Sequence, residues 1–250
     1  MSLAWSRRAR PSTSSPSDLT MLPSFWVVIP AAGVGSRMRA DRPKQYLPLA
    51  GMTIIEHTLG RFLDHPRLQG LVVSLAADDP YWPNLSVAND PLVQRADGGG
   101  ERADSVLAGL RRLFELGAQT EDWVLVHDAA RPNLAREDLD RLLAELADDP
   151  VGGLLAVPAR DTLKRVGPDG RVQETVDRSV IWQAFTPQMF RLGTLCETLA
   201  EALAAGVAIT DEASALEWAG HSPKLVEGRA DNLKVTRPED LQWLEQRWRL

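Results

Sequence analysis

The fold class this sequence predicts is α/β, one domain around a mostly parallel sheet, and three observations predict it. Short uninterrupted apolar runs recur along the chain, amphipathic helical patterns separate them, and the two alternate from Phe25 onward. The apolar runs are FWVVIPA (25–31), LVVSLAA (71–77), WVLVHDA (123–129) and GLLAVPA (153–159). Runs of this length suit strands buried on both faces. Between them, TIIEHTLGRFLDH (53–65), ADSVLAGLRRLFELG (103–117) and REDLDRLLAELAD (136–148) read as helices. In the last, Leu139, Leu142, Leu143 and Leu146 form one apolar stripe with charge opposite. Strands joined by helices of this length imply βαβ units and hence a parallel sheet.

Two regions depart from the alternation. Residues 160–187 place Gly167-Pro168-Asp169-Gly170, a turn signal, between two polar β-compatible runs. A hairpin this polar has little core of its own and is expected to protrude and pack on something else, such as a second subunit. Near the C-terminus, Thr236-Arg237-Pro238-Glu239 has capping-box spacing and predicts a helix over LQWLEQRW. The domain spans 25–250, with its arm at about 160–187. Residues 1–24, rich in Ser, Pro and Arg, read as a disordered leader or an upstream start ahead of Met21, in preference to a transit peptide.

Composition narrows the function. Lys+Arg total 28 against 34 Asp+Glu, a formal net charge of -6, which argues against a general nucleic-acid binder. One cysteine excludes an internal disulfide framework and a Cys-based zinc site, and Cys196 reads as core filler. The four histidines show no metal-ligand spacing. No apolar run approaches the roughly 20 residues that span a bilayer. A cytoplasmic protein is expected, with neither membrane nor nucleic acid as partner.

The strongest functional signal is Pro30-Ala31-Ala32-Gly33-Val34-Gly35-Ser36-Arg37-Met38, directly after the first buried strand. Small residues let backbone approach a ligand, and Gly33 and Gly35 permit a left-handed tight loop. A loop at the carboxyl end of a parallel strand, opening into a helix, cradles anions. It is neither a Walker A, lacking Gly-Lys-Ser/Thr, nor a good dinucleotide fingerprint, since Met38 stands at the third glycine position. Arg37 and Lys44 add fixed cations suited to a polyphosphate. Asp128-Ala129-Ala130-Arg131-Pro132 ends a second buried strand, where open α/β sheets bind ligands. Asp128 is a candidate for gripping hydroxyls or the metal region, or for capping a turn. Gly98-Gly99-Gly100 precedes a helix and suits close approach to a flat base, and Asp211 reads as a helix N-cap.

PAAGVGSRM followed by PKQYLPL resembles the start of the 2-C-methyl-D-erythritol 4-phosphate cytidylyltransferase family. GGGERADSVLAGL (98–110), VLVHDAARP (124–132), VPARDTLKR (157–165), TVDRSVIWQAFTPQ (175–188), TDEASALE (210–217) and EGRADNLKVTRPEDL (227–241) agree with it in order. The resemblance implies a Rossmann-like nucleotidyltransferase domain and a reaction of CTP with methylerythritol phosphate, with Mg²⁺ carried on the CTP phosphates.

It further implies Arg37, Lys44, Arg178 and Lys234 as catalytic cations. Pro30, Ala31, Ala32, Gly33, Gly35, Gly99, Gly100, Ser105 and Ala129 would bind CTP. Asp128, Arg131, Thr162, Thr186 and Thr210 would bind the second substrate, and metal ligands stay unassigned. Some relatives place Asp at the position of Gly100, a departure that bears on the detailed role of this residue and leaves the CTP site to backbone contacts from the same loop. The family's arm exchanges between two subunits, so a homodimer with shared sites is expected. A cytidylyltransferase of ribitol 5-phosphate, a noncatalytic nucleotide-binding module and an NAD-dependent oxidoreductase are the competing readings.

Overall fold

Side-chain alternation along the central strands divides the core in two. Val27, Ile29, Leu71, Val73, Trp123 and Leu125 pack on one side, while Val28, Val72, Val124 and Val126 pack on the other. Every one of these residues is essentially buried, as strands covered on both faces require.

The computed structural model describes residues 22–33, 38 and 41–248. The leader up to Met21, and the site candidates Gly35 and Arg37, lie outside the described residues. In chain order the elements are β1 (Phe25–Pro30), a short pair β2 (Pro48–Leu49) and β3 (Met52–Thr53), then α1 (Ile54–Leu63) and β4 (Leu68–Leu75). Next come β5 (Val93–Asp97), α2 (Arg102–Glu115), β6 (Trp123–Val126), α3 (Arg136–Leu146) and β7 (Gly152–Pro158). The hairpin β8 (Leu163–Val166) and β9 (Val172–Val176) leads to β10 (Trp182–Arg191), α4 (Leu192–Ala204), α5 (Glu212–Trp218), β11 (Lys224–Glu227) and α6 (Pro238–Trp248).

Among the described residues the central sheet runs β11-β7-β10-β6-β1-β4-β5. Its parallel pairs are β1 with β4 and β6, β4 with β5, and β7 with β11, whereas β10 runs antiparallel to both neighbours. Helices α1 and α3 cover one face through Leu59, Phe62, Leu139 and Leu143. On the other face lie Leu110 of α2, Leu195 of α4 and Leu216 of α5. At Gly109 a Cβ would stand 2.5 Å from Val28 Cγ1, so glycine is what lets α2 sit this close to the sheet. A third cluster, including Met38, Leu49, Ile54, Ala130, Val235 and Leu244, seats α6 beneath the loops that follow.

Helix starts follow local chemistry. Thr53 and Glu56 form a reciprocal capping box on α1, and Asp211 caps α5 with Ser214. At α6 the expected partner is displaced by one residue. Asp240, not Glu239, accepts the backbone N–H groups of Thr236 and Arg237 at 2.8 and 2.9 Å, because the helix begins at Pro238 and puts Asp240 in its third position. The hairpin turns through Gly167–Gly170, with Gly170 at φ +76°. Its paired residues are Leu163–Val166 and Val172–Val176; the C-terminal part of the 160–187 segment joins the central sheet, where Trp182, Gln183 and Ala184 pair with β7.

Candidate active site

Three loops leave the carboxyl ends of parallel strands of the central sheet and converge. They are Ala31–Gly33 after β1, Gly98–Glu101 after β5, and the Asp128–Ala130 turn after β6. This is where open α/β sheets bind ligands. The cavity they enclose measures about 290 Å³. Pro30, Ala31, Ala32, Gly33, Lys44, Gly99, Gly100, Ser105, Asp128, Ala129 and Lys234 line it, together with Gln45, Glu101, Arg102 and Ala130.

Each loop is braced from behind. Gln45 is buried, and its Nε2 donates to the carbonyls of Ala31 at 2.7 Å and Gly33 at 3.2 Å. Ser105 Oγ accepts the Gly99 N–H at 3.2 Å and donates to the Glu101 carbonyl at 3.1 Å. A Cβ on Gly98 would lie 2.6 Å from Ala32 Cβ, so glycine allows the first two loops to touch. Thr58 Oγ1 donates to the Ala129 carbonyl at 2.9 Å. Lys44 Nζ donates to the Val235 carbonyl at 3.1 Å, tying its short helical turn to the segment that carries Lys234. Gly33 does not use the left-handed φ open to glycine, and its carbonyl is held by Gln45.

Asp128 is the electrostatic centre. Its Oδ1 lies 3.1 Å from Arg102 Nε, and its Oδ2 lies 3.2 Å from Arg131 Nε and 2.9 Å from Lys234 Nζ. Burial alone would raise the Asp128 pKa, but the charges of Arg102, Lys234 and Arg131 hold it far below the usual carboxylate range. For Arg102, burial works against the charged form, and Glu212 and Asp128 outweigh it and raise its pKa. Arg131 is buried behind Asp128, donating to the Asn232 carbonyl at 2.7 Å and stacking on Phe185 at 4.9 Å. It therefore steadies the carboxylate from the protein side of the cavity.

The threonines expected near substrate lie apart. Thr186 is buried: its Oγ1 accepts the Asp128 N–H at 3.1 Å and pairs with His127 Nδ1 at 2.9 Å, so the hydroxyl supports Asp128 from within. His127 Nε2 meets the Arg131 carbonyl at 3.0 Å, and burial pushes its pKa down to about 4. Thr162 and Thr210 are exposed outside the cavity lining. Arg178 is exposed too, and its guanidinium donates to the Arg160 carbonyl at the base of the arm.

Sequence reasoning passed over Gln45, Arg102 and Glu212. For Arg102 a signal existed: a cation in the first turn of a helix opposes the helix dipole and calls for a carboxylate partner. The carbonyl-bracing role of Gln45 left no trace in the sequence pattern.

Comparison with known proteins agrees with the geometry. The family model of 2-C-methyl-D-erythritol 4-phosphate cytidylyltransferase (IspD) matches residues 25–247. The chain is 74% identical over 227 residues to the enzyme of that name from Pseudomonas fluorescens (strain Pf0-1), covering 91% of this chain and 97% of the relative. It is 76% identical over 224 residues to that of Pseudomonas aeruginosa (strain UCBPP-PA14), covering 90% and 96%. Among solved structures, the Francisella tularensis 2-C-methyl-D-erythritol 4-phosphate cytidylyltransferase superposes with a TM-score of 0.77 at 36% identity, covering 91% of this chain and all of that one. A 4-diphosphocytidyl-2C-methyl-D-erythritol synthase gives the same TM-score at 40% identity, covering 90% and 98%.

Proposed function

The chain belongs to the 2-C-methyl-D-erythritol 4-phosphate cytidylyltransferase family, and we propose that the cavity at the carboxyl ends of β1, β5 and β6 is where it performs that reaction. CTP and 2-C-methyl-D-erythritol 4-phosphate give 4-diphosphocytidyl-2-C-methyl-D-erythritol and pyrophosphate, a step of isoprenoid precursor biosynthesis. The observation that carries the assignment of the site is the entry of Lys44, Arg102 and Lys234 into one cavity around Asp128, beside two small-residue loops.

The chemistry needs charge and position more than proton transfer. A phosphate monoester is already ionised at pH 7, its second pKa being about 6. One of its oxygens attacks the α-phosphorus of CTP, and the bond from that phosphorus to the β-phosphate bridging oxygen breaks. Pyrophosphate leaves with the electron pair, so no general base is required. Neutral, buried His127 fits this reading, since its two ring nitrogens serve Thr186 and Arg131. Lys44, with Arg37, neutralises charge that builds on the phosphates, and Lys234 receives the sugar phosphate. Ala31–Gly33, Gly99, Gly100 and Ser105 present backbone and small side chains to the nucleotide. Asp128 accepts polyol hydroxyls while Arg131 steadies it. Thr162 and Arg178 join the substrate side in a homodimer whose arms exchange, and Thr210 offers its hydroxyl to the same substrate. Val166, Val172 and Val180, exposed on and beside the arm, support that assembly.

The described side chains do not fit a resident Mg²⁺. Both Asp128 oxygens already face cations, and no group of three His, Cys, Asp or Glu gathers among the described residues. In this reading the divalent ion enters on the triphosphate, as part of the substrate. No helix among the described residues is long and apolar enough to cross a membrane, and a cytoplasmic location completes the proposal.

The test is a pyrophosphate-release screen of CTP, UTP, ATP and GTP against methylerythritol phosphate and ribitol 5-phosphate. Release is expected with CTP and methylerythritol phosphate alone. Preference for ribitol phosphate, or CTP binding without turnover, overturns the reading.

A further inference from the structure

Two charged residues, Arg102 of the GGGERAD segment and Glu212 of the TDEASALE segment, have so far no assigned part in the reaction, and the structure joins them. Arg102 Nη1 and Nη2 donate to Glu212 Oε1 and Oε2 at 2.6 and 3.2 Å, while Arg102 Nε donates to Asp128 Oδ1 at 3.1 Å. Glu212 is 1% exposed, whereas Arg102 faces the cavity. A two-pronged carboxylate–guanidinium pair whose carboxylate is buried sets the plane of the guanidinium as well as its place.

Glu212 is itself held by strand β10. It is the first residue of α5, and the neighbouring Ala213 N–H donates to Gln188 Oε1 at 2.8 Å. Gln188 Nε2 donates in turn to Asp211 Oδ2 at 2.8 Å. Two residues earlier on the same strand, Thr186 Oγ1 accepts the Asp128 N–H. One strand thus locates both the carboxylate that aims Arg102 and the carboxylate at which Arg102 is aimed.

We infer that Glu212 is a positioning residue for the sugar-phosphate half of the reaction: by locking Arg102 onto Asp128 Oδ1, it leaves Oδ2 turned toward Lys234 and fixes where that ammonium meets the incoming phosphate. The inference rests on the functional reading above. A guanidinium this enclosed needs its carboxylates. If Glu212 is neutralised, Arg102 has only Asp128 to satisfy it, and the Asp128 carboxylate is drawn away from Lys234. The consequence falls on the second substrate, because Lys44 and the nucleotide loops have separate braces.

The experiment compares Glu212→Gln with the wild type in steady-state kinetics, varying each substrate in turn. The expected result is a loss of about tenfold in kcat/KM for methylerythritol phosphate, with KM for CTP within about twofold. Adding Glu212→Gln to Arg102→Met is expected to change activity by less than about twofold, since Glu212 acts through Arg102. An equal loss toward both substrates, multiplicative losses in the double variant, or unchanged kinetics each overturn the inference. Should Glu212→Gln fail to fold, Glu212→Asp, which keeps the charge and shortens the reach, is expected to show the same split; failure of both to fold assigns the pair to structure and overturns it. A wild type that releases no pyrophosphate from these substrates defeats the functional reading. An active wild type without the split defeats this inference alone.

Discussion

Lys234 Nζ stands 2.9 Å from Asp128 Oδ2, on the opposite side of the carboxylate from Arg102. The pair joins the loop after β6 to the segment ahead of α6, and it places a half-exposed ammonium at a cavity whose floor is anionic. The floor does not cancel the cation. Among the described residues, Arg102 and Arg131 share the same carboxylate and Glu212 pairs with Arg102, so in this cluster Lys234, Arg102 and Arg131 outnumber Asp128 and Glu212, and the mouth stays attractive to phosphate.

Asp128→Asn is expected to destabilise the protein by roughly 3–5 kcal/mol, because it strands buried Arg131 and half of the Arg102 pairing. Urea unfolding at pH 7 checks this. The folded carboxyl titrates below its unfolded value, so its stabilisation is present above the unfolded pKa of about 3.9 and is lost as pH falls through the folded pKa. The deficit of the variant should therefore shrink when both proteins are compared below about pH 4.

His127 gives stability a second pH dependence with its own window. Its folded pKa lies at about 4 against 6.5 for a free imidazole, so the native state resists protonation. The contribution is complete above pH 6.5 and declines toward pH 4, amounting to roughly 3 kcal/mol. Imidazole NMR shifts of His127 are expected to stay at their neutral values at pH 5.5. Titration with a midpoint near 6.5 would contradict the buried pairing with Thr186.

Gln45→Ala removes the donor that closes on the Ala31 and Gly33 carbonyls. CTP affinity should fall about tenfold, in line with the 1–2 kcal/mol of lost hydrogen bonding. Calorimetric titration measures it, and unchanged affinity would show that the nucleotide does not depend on the shape of this loop.

Lys44→Ala is expected to lower kcat about 100-fold while weakening CTP binding far less, because its contact strengthens as charge builds on the phosphates. A binding loss with no change in kcat would limit Lys44 to ground-state phosphate contact.

Arg178 lies on the surface of the single chain, away from the cavity lining. Arg178→Ala and Arg37→Ala subunits, each nearly inactive alone, should recover about a quarter of wild-type activity when mixed equally and allowed to exchange, since one site in each mixed dimer is intact. No recovery in demonstrably mixed dimers would exclude sharing.

The legible part of the molecule is the part governed by neighbours in sequence. Val27 and Val28 announce a strand buried on both faces by standing in an unbroken apolar run. Leu139, Leu142, Leu143 and Leu146 announce a helix face by their spacing, and all four are buried. Asp211 is recognisable as a cap because its partner Ser214 lies in the next turn. Thr186 shows what such reading does not reach. The resemblance offers its hydroxyl to substrate, and only the fold shows that the same hydroxyl meets Asp128 and His127. The partner at α6 slipped from Glu239 to Asp240 because spacing alone does not locate the first helical residue.

The sequence by itself determined that apolar strands alternate with amphipathic helices, that small-residue loops follow the strands, and that the ordered motifs are those of one cytidylyltransferase family. Those properties are local, and period, turn chemistry and residue order express them. The tertiary structure alone decided which charges meet. Arg102 and Lys234 reach Asp128 and its chain neighbour Arg131 from two distant parts of the chain, and Glu212 reaches Arg102 from a third. In a buried site each of these charges depends on partners close enough to offset its desolvation. Such pairing is set by distance and orientation in the fold, which separation along the chain does not encode.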